Sequence, residues 1–311
     1  MYVYLTMNLS ELAIETRNLN FSFRRGRFAV KELSLQVPYQ SIFGFLGPNG
    51  AGKTTTINLL TGMLKSASDN IFIQGQSLKK SIPSIFQSIG TLIETPSLYL
   101  HLSGWNNLKV ITILRELPDK RIDEVLEIVG LQKDSKRKAR EYSLGMKQRL
   151  GIAMALLPDP SLLLLDEPAN GLDPVGIIET RELLIRLNRE HNKTIFVSSH
   201  LLSEVEKTCT HVGIIHKGVV RFQGSLQDLQ QSAGEAREVI IKINEAKQWM
   251  SKIAELFPGA KAGRNNELNI TFENASEVPF INNKLVEAGI PVSGLRVREG
   301  LEEWFIKMTQ Q

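Results

Sequence analysis

An α/β fold, a mostly parallel sheet covered by helices with a small α+β domain after it, is predicted by three features of this 311-residue chain. The apolar run Ile42 to Leu46 meets a glycine-rich turn and then a helix-like stretch, Lys53 to Leu60. Short apolar runs return at Leu162 to Leu165, Thr194 to Ser198, Val212 to Ile215 and Val219 to Phe222, with a helical pattern, Ile177 to Glu190, between the first two. Buried strands alternating with helices argue for a parallel sheet. From Val239 the order reads strand, helix, two strands, helix, strand, which is the β-α-β-β-α-β order of a ferredoxin-like domain.

The remaining elements follow from local patterns. Residues 10–46 read as strands, with Ala13 to Glu15 and Ser34 to Val37 preceding Ile42 to Leu46. Residues 96–160 read as helical: Trp105 to Leu117, then Ile122, Val125, Leu126 and Val129 at helical spacing, then Met146 to Leu157. Asp119 is the expected N-cap of the middle helix and Gly130 its terminator. The polar run Gly224 to Arg237 reads as a linker. The expected boundaries are a large α/β domain over 10–230, a linker at 231–237 and a small domain over 238–311, whose last helix is Leu301 to Met308.

Composition excludes several classes. Apolar residues make up 42% and charged residues 23%, globular values that rule out a disordered, collagen-like or coiled-coil chain. The net charge of +4 is mild, and no nucleic-acid partner is expected. Cys209 is the single cysteine, so no intramolecular disulfide forms and a reducing compartment fits. No run approaches the ~18 apolar residues of a membrane helix. The opening segment lacks the basic and apolar parts of a signal peptide. The expectation is a soluble, cytoplasmic protein whose membrane part, if it acts at one, comes from a partner.

Gly47-Pro48-Asn49-Gly50-Ala51-Gly52-Lys53-Thr54 satisfies G-x-x-x-x-G-K-[ST], between a strand and a helix. Backbone N–H groups of such a loop surround phosphates, and the helix N-terminus adds a favourable dipole. Lys53 reaches the outer phosphates and the Thr54 hydroxyl a Mg²⁺ ion, with Thr55 next in the loop. Leu162 to Leu165 ends in Asp166-Glu167-Pro168. A strand beside the phosphate-loop strand brings Asp166 to the metal and lets Glu167 polarise an attacking water as general base.

Tyr142-Ser143-Leu144-Gly145-Met146-Lys147-Gln148-Arg149 opens the helix that ends at Leu157. Ser143 as a plain N-cap is one reading. In this company the segment resembles the L-S-G-G-Q signature of ABC transporter ATP-binding subunits, keeping Ser143, Gly145, Gln148 and Arg149 and departing at Tyr142, Leu144 and Met146. The resemblance extends to Asn170-Gly171-Leu172-Asp173 as the D-loop and to His200 as the switch histidine that contacts the γ-phosphate. It makes Phe23 the aromatic that stacks on adenine, with core packing of Phe21 or Phe23 the rival. Glu94, in Ile93-Glu94-Thr95-Pro96, stands where the family's Q-loop carries glutamine; it keeps acceptor oxygens for metal or water but loses the donor. This form resembles the bacitracin-resistance and lantibiotic-immunity exporter subgroup, over roughly residues 12–230.

What the resemblance implies is a P-loop NTPase cassette with a β-subdomain and a helical subdomain. It implies ATP and Mg²⁺ as cofactors, with Thr54, Asp166 and Glu94 on the metal, and a head-to-tail dimer with itself or a paralogous subunit. In that dimer Ser143, Gly145 and Asp173 complete the partner's site. An ABC-2-type permease would dock near Pro96 to Leu117 and hold the ATPase at the inner face of the cell membrane; the apolar residues there read equally as core. The function implied is ATP hydrolysis coupled to export of, or immunity to, a peptide antibiotic or similar amphipathic compound. The alternatives are a soluble ATPase of translation or DNA metabolism, and a regulatory ATP binder without turnover. The basic run Lys133 to Arg140 reads as a solvated loop, a contact for anionic lipid headgroups, or a nucleic-acid contact.

Overall fold

The computed structural model describes residues 11–24, 27–232, 238–243, 246–263, 267–272, 277–298 and 305. In chain order the elements are β1 Leu12–Thr16, β2 Leu19–Arg24, β3 Arg27–Leu33, β4 Gln36–Pro38, β5 Ile42–Leu46, α1 Lys53–Leu60, β6 Ile71–Ile73, β7 Gln76–Ser77, α2 Leu78–Ser81 and β8 Ile89–Leu92. Then come α3 Gly104–Leu114, α4 Lys120–Ile128, α5 Leu144–Leu156, β9 Leu162–Asp166, α6 Pro174–Arg189, β10 Thr194–Ser199, α7 Leu202–Thr208, β11 His211–His216 and β12 Val219–Ser225. The last are α8 Leu226–Ser232, β13 Glu238–Ile243, α9 Ala246–Leu256, β14 Lys261–Ala262, β15 Glu267–Thr271, α10 Glu277–Glu287 and β16 Val292–Arg298. The chain forms two compact units, Met1–Leu226 and Gln227–Gln311.

The first unit is built on a six-stranded sheet in the order β12-β11-β5-β10-β9-β8. Its strands run parallel except the edge strand β12. Every residue of β5 and β9 is buried, which is why both read as unbroken apolar runs rather than alternating ones. A second, antiparallel sheet, β4-β1-β6-β7, and the β2–β3 hairpin complete the β part. α3, α4 and α5 form the helical part expected between 96 and 160. No helix among the described residues is long and apolar enough to cross a membrane.

Three local expectations change. β10 lies between β5 and β9, so the strand carrying Asp166 is not the immediate neighbour of the phosphate-loop strand. Asp119 stands before α4 with helical backbone angles and makes no cap bond; its carboxylate takes the Lys109 ammonium at 2.5 Å instead. The polar run from Gly224 is not wholly a linker. It finishes β12 and forms α8, in which Leu229 is fully buried. Residues 233–237 lie outside the described residues.

The second unit holds a four-stranded antiparallel sheet in the order β14-β15-β13-β16, the second, third, first and fourth strands of the β-α-β-β-α-β run. That is the ferredoxin-like arrangement the element order implied. Val239, Ile241 and Ile243 alternate onto one face and pack with Ile253 of α9 and Ile281 and Leu285 of α10. The helix expected over Leu301 to Met308 falls, apart from Phe305, outside the described residues.

Candidate active site

The phosphate loop leaves β5 at Leu46 and closes at Gly52, where α1 begins. Glycine is required at both ends of the turn. A Cβ on Gly47 would sit 2.5 Å from the Ile215 carbonyl oxygen, and one on Gly52, at φ +113°, 2.7 Å from that of Ala29. Only glycine fits that dihedral and that approach. Lys53 Nζ, nearly buried, donates to the Gly47 and Pro48 carbonyls at 2.7 and 3.3 Å. It also pairs with Glu167 Oε1 at 3.1 Å.

Although β10 intervenes, the start of α1 reaches β9. Thr54 Oγ1 donates to Asp166 Oδ2 at 2.7 Å. Ser198, opposite Asp166 in the β9–β10 register, donates to Asp166 Oδ1 at 2.5 Å and accepts the Glu167 N–H at 2.9 Å. One hydroxyl therefore ties both acids together. Glu167 sits at φ +49°, a left-handed conformation that costs a non-glycine residue ~1–3 kcal/mol unless its surroundings hold it. Its other carboxylate oxygen, Oε2, lies 2.6 Å from His200 Nδ1. Glu167 is thus held between Lys53 and His200.

A cavity of about 880 Å³ opens over this cluster. Phe23, Phe28 and Glu94 line it together with Asn49, Gly50, Lys53, Thr54, Thr55 and both acids. Phe21 packs against the core while Phe23, 67% exposed, meets its edge at 5.0 Å and turns to the cavity. Phe28 adds a second exposed ring. Glu94 is exposed at φ +58°. The oxygens of Thr54 and Asp166 suit a hard divalent cation, which takes one or two protein ligands and fills the rest with phosphate and water. Among the described residues no three His, Cys, Asp or Glu side chains form a closed metal cage.

Three expected site residues stand elsewhere. Ser143 is exposed and caps α5, accepting the Met146 N–H at 3.2 Å. A Cβ on Gly145 would find its nearest neighbour 3.9 Å away, on Leu172. Asp173 caps α6 through the Gly176 N–H at 2.9 Å. None of the three lines the cavity. Cys209 is buried, and burial pushes its thiol up to about 12, which keeps it protonated and inert.

Sequence reasoning missed Ser198, Phe28, Arg24 and Lys217, all at or under the cavity, while Gln148 of the signature segment lines it as well. Ser198 had one available signal: a hydroxyl ending an apolar strand, two residues before His200. Ser198→Ala should lower turnover about tenfold, since it leaves a buried N–H unpaired and frees one carboxylate oxygen. Phosphate release across a metal titration checks this. A rise in the metal needed for half-maximal rate is expected, and an unchanged titration would remove Ser198 from the site.

The chain matches the "ABC transporter" family model over residues 30–170. It is 40% identical over 283 residues to the bacitracin transport ATP-binding protein BcrA of Bacillus licheniformis, covering 90% of this chain and 92% of that one. The chain belongs to the ABC transporter ATP-binding family. An uncharacterized ABC transporter ATP-binding protein of Bacillus subtilis, YhcH, is 38% identical over 96% of this chain and 95% of its own. The lantibiotic transport ATP-binding protein SrtF of Streptococcus pyogenes is 40% identical over 67% of this chain and 88% of its own. Among solved structures, cbiO1 from Clostridium perfringens superposes with a TM-score of 0.66 at 26% identity, covering 80% of this chain and 96% of that one. As an ABC ATPase the protein binds and hydrolyses ATP, in company with a membrane permease. A role in translation or DNA metabolism has no support among these relatives.

Proposed function

We propose that this ABC ATPase drives export of, or immunity to, a peptide antibiotic or similar amphipathic compound. It works as a head-to-tail pair, with itself or a paralogous subunit, beneath an ABC-2-type permease at the inner face of the cell membrane. The observation that carries the substrate class is similarity through the second domain as well as the first: the relative named for bacitracin transport aligns over 90% of the chain. The Glu94 form of the segment before the helical part is consistent with it.

In this reading Lys53 and the loop amides hold the β- and γ-phosphates, and Phe23 stacks on the base. Thr54 and Asp166 would hold Mg²⁺, which would supply positive charge against the phosphates. Glu167 takes the water proton and His200 orients the γ-phosphate end. Ser143, Gly145 and Asp173 lie outside the chain's own cavity because they serve the partner's.

Expression with the neighbouring permease tests the substrate class. Resistance to bacitracin or a lantibiotic should rise, and such a compound should stimulate ATP turnover by the purified complex. No stimulation by any compound of this class would end the substrate assignment and leave the ATPase standing. Glu94→Gln should keep nucleotide binding and change the ratio of substrate-stimulated to basal turnover severalfold. An unaltered ratio would make the substitution incidental.

A further inference from the structure

The basic run left open by the sequence has a defined placement. Lys133 to Arg140 holds five cations and one acid, a net +4 that equals the net charge of all 311 residues. The rest of the chain is balanced, so the excess sits on one short surface segment. Two of the cations are already neutralised locally. Arg137 pairs with Asp134 at 2.5 Å and Arg140 with Glu141 at 3.8 Å. Lys133, Lys136 and Lys138 are exposed, and among the described residues none makes an ion pair.

This segment does not wave free. Gly104 N–H donates to the Arg137 carbonyl and Trp105 N–H to that of Ser135, at 3.1 and 2.8 Å. In return Ala139 N–H donates to Leu102 and Arg140 N–H to Leu100, at 2.8 and 3.0 Å. The Tyr142 hydroxyl donates to the Asp134 carbonyl at 2.8 Å and braces the turn from beneath. The backbone is therefore fixed while three ammonium groups project from it.

We propose that this ledge rests on the anionic headgroups of a bilayer, with Lys133, Lys136 and Lys138 on lipid phosphates. A cluster of exposed lysines on a fixed backbone is what an anionic leaflet attracts. Lysine suits a fluid layer of point charges, where arginine's planar fork is made for fixed partners. A nucleic acid would draw on a broader basic face, and the rest of this chain has no net charge to offer. The inference rests on the reading that the ATPase works at a membrane. Its role there is to set the helical part of the cassette at a fixed height under the lipid.

Sedimentation of the full chain with vesicles tests it, using phosphatidylcholine alone against phosphatidylcholine with about a third phosphatidylglycerol. Each lysine near an anionic surface is worth about fivefold in binding. The variant Lys133→Gln/Lys136→Gln/Lys138→Gln should bind the anionic vesicles about a hundredfold more weakly. Raising salt tenfold should release the wild type, because the contact lies within a Debye length of the surface. A charge-matched variant elsewhere, Lys65→Gln/Lys79→Gln/Lys207→Gln, should bind as the wild type does. Basal ATP turnover should be intact in both variants, which shows that they fold and separates this inference from the ATPase assignment. Equal binding to neutral vesicles, loss in the control variant, or retention in the ledge variant would each overturn it. Salt-sensitive capture of RNA without vesicle binding would overturn it too.

Discussion

Replacing Glu167 with glutamine should stop turnover while leaving ATP bound. The substitution keeps the shape and removes the charge and the proton acceptor. A positioned general base contributes about 10²–10⁴ in rate, so phosphate release should fall by at least about a hundredfold. Binding should not fall with it. Lys53 now divides its charge between two loop carbonyls and Glu167 Oε1. An amide releases that ammonium for the incoming phosphates. The Glu167 backbone, held at φ +49° by the Ser198 hydroxyl, does not depend on the carboxylate and should stay in place. Equilibrium binding of ATP should therefore be equal or tighter, and size-exclusion at saturating Mg-ATP should show a trapped dimer. A monomer under those conditions, or turnover within threefold of the wild type, would remove Glu167 from the role of base.

How much of this was legible in the sequence depends on whether local chemistry or tertiary placement sets each feature. The helix Lys53 to Leu60 and the strand ending at Asp166 were readable because glycine geometry and full burial each leave a mark along the chain. The sheet order was not. An apolar run announces that a strand is buried on both faces and says nothing about its neighbours, so β10 entering between β5 and β9 came only with the fold. Ser198 was hidden for the same reason: its role follows from facing Asp166 across that unforeseen pairing. β6 and β8 were missed because three- and four-residue strands carry too few alternations to show a period. Asp119 shows a local rule losing to a partner, since a nearby ammonium outcompetes backbone N–H groups for its carboxylate. The second unit was the reverse case. Its strand order follows from the element order, because split β-α-β units admit few right-handed arrangements.

The placement of Ser143 and Gly145 leads to the second large effect. Both stand on the surface, outside the cavity that Lys53 enters. A Cβ on Gly145 has nothing nearer than 3.9 Å, so nothing within this chain demands glycine there. If the demand comes from a second copy's nucleotide, Gly145→Asp should abolish turnover by steric and charge conflict with the γ-phosphate while the monomer still binds ATP. Lys53→Met should abolish turnover by the other route, losing the phosphates themselves, with ATP affinity down about a hundredfold or more. Each variant alone is dead, and each damages a different half of a shared site. Mixed in equal amounts, half of the dimers pair unlike subunits. In those, one site has both defects and the other has neither. Turnover should return to about a quarter of the wild-type rate, given twofold symmetric pairing and independent sites. A cassette that completed its active site alone would give no recovery at all, and so would two sites that fire only together. A third mixture, wild type with the Lys53→Met variant, separates these outcomes. Self-contained sites would retain about half of the wild-type rate, whereas obligately coupled sites would fall to about a quarter.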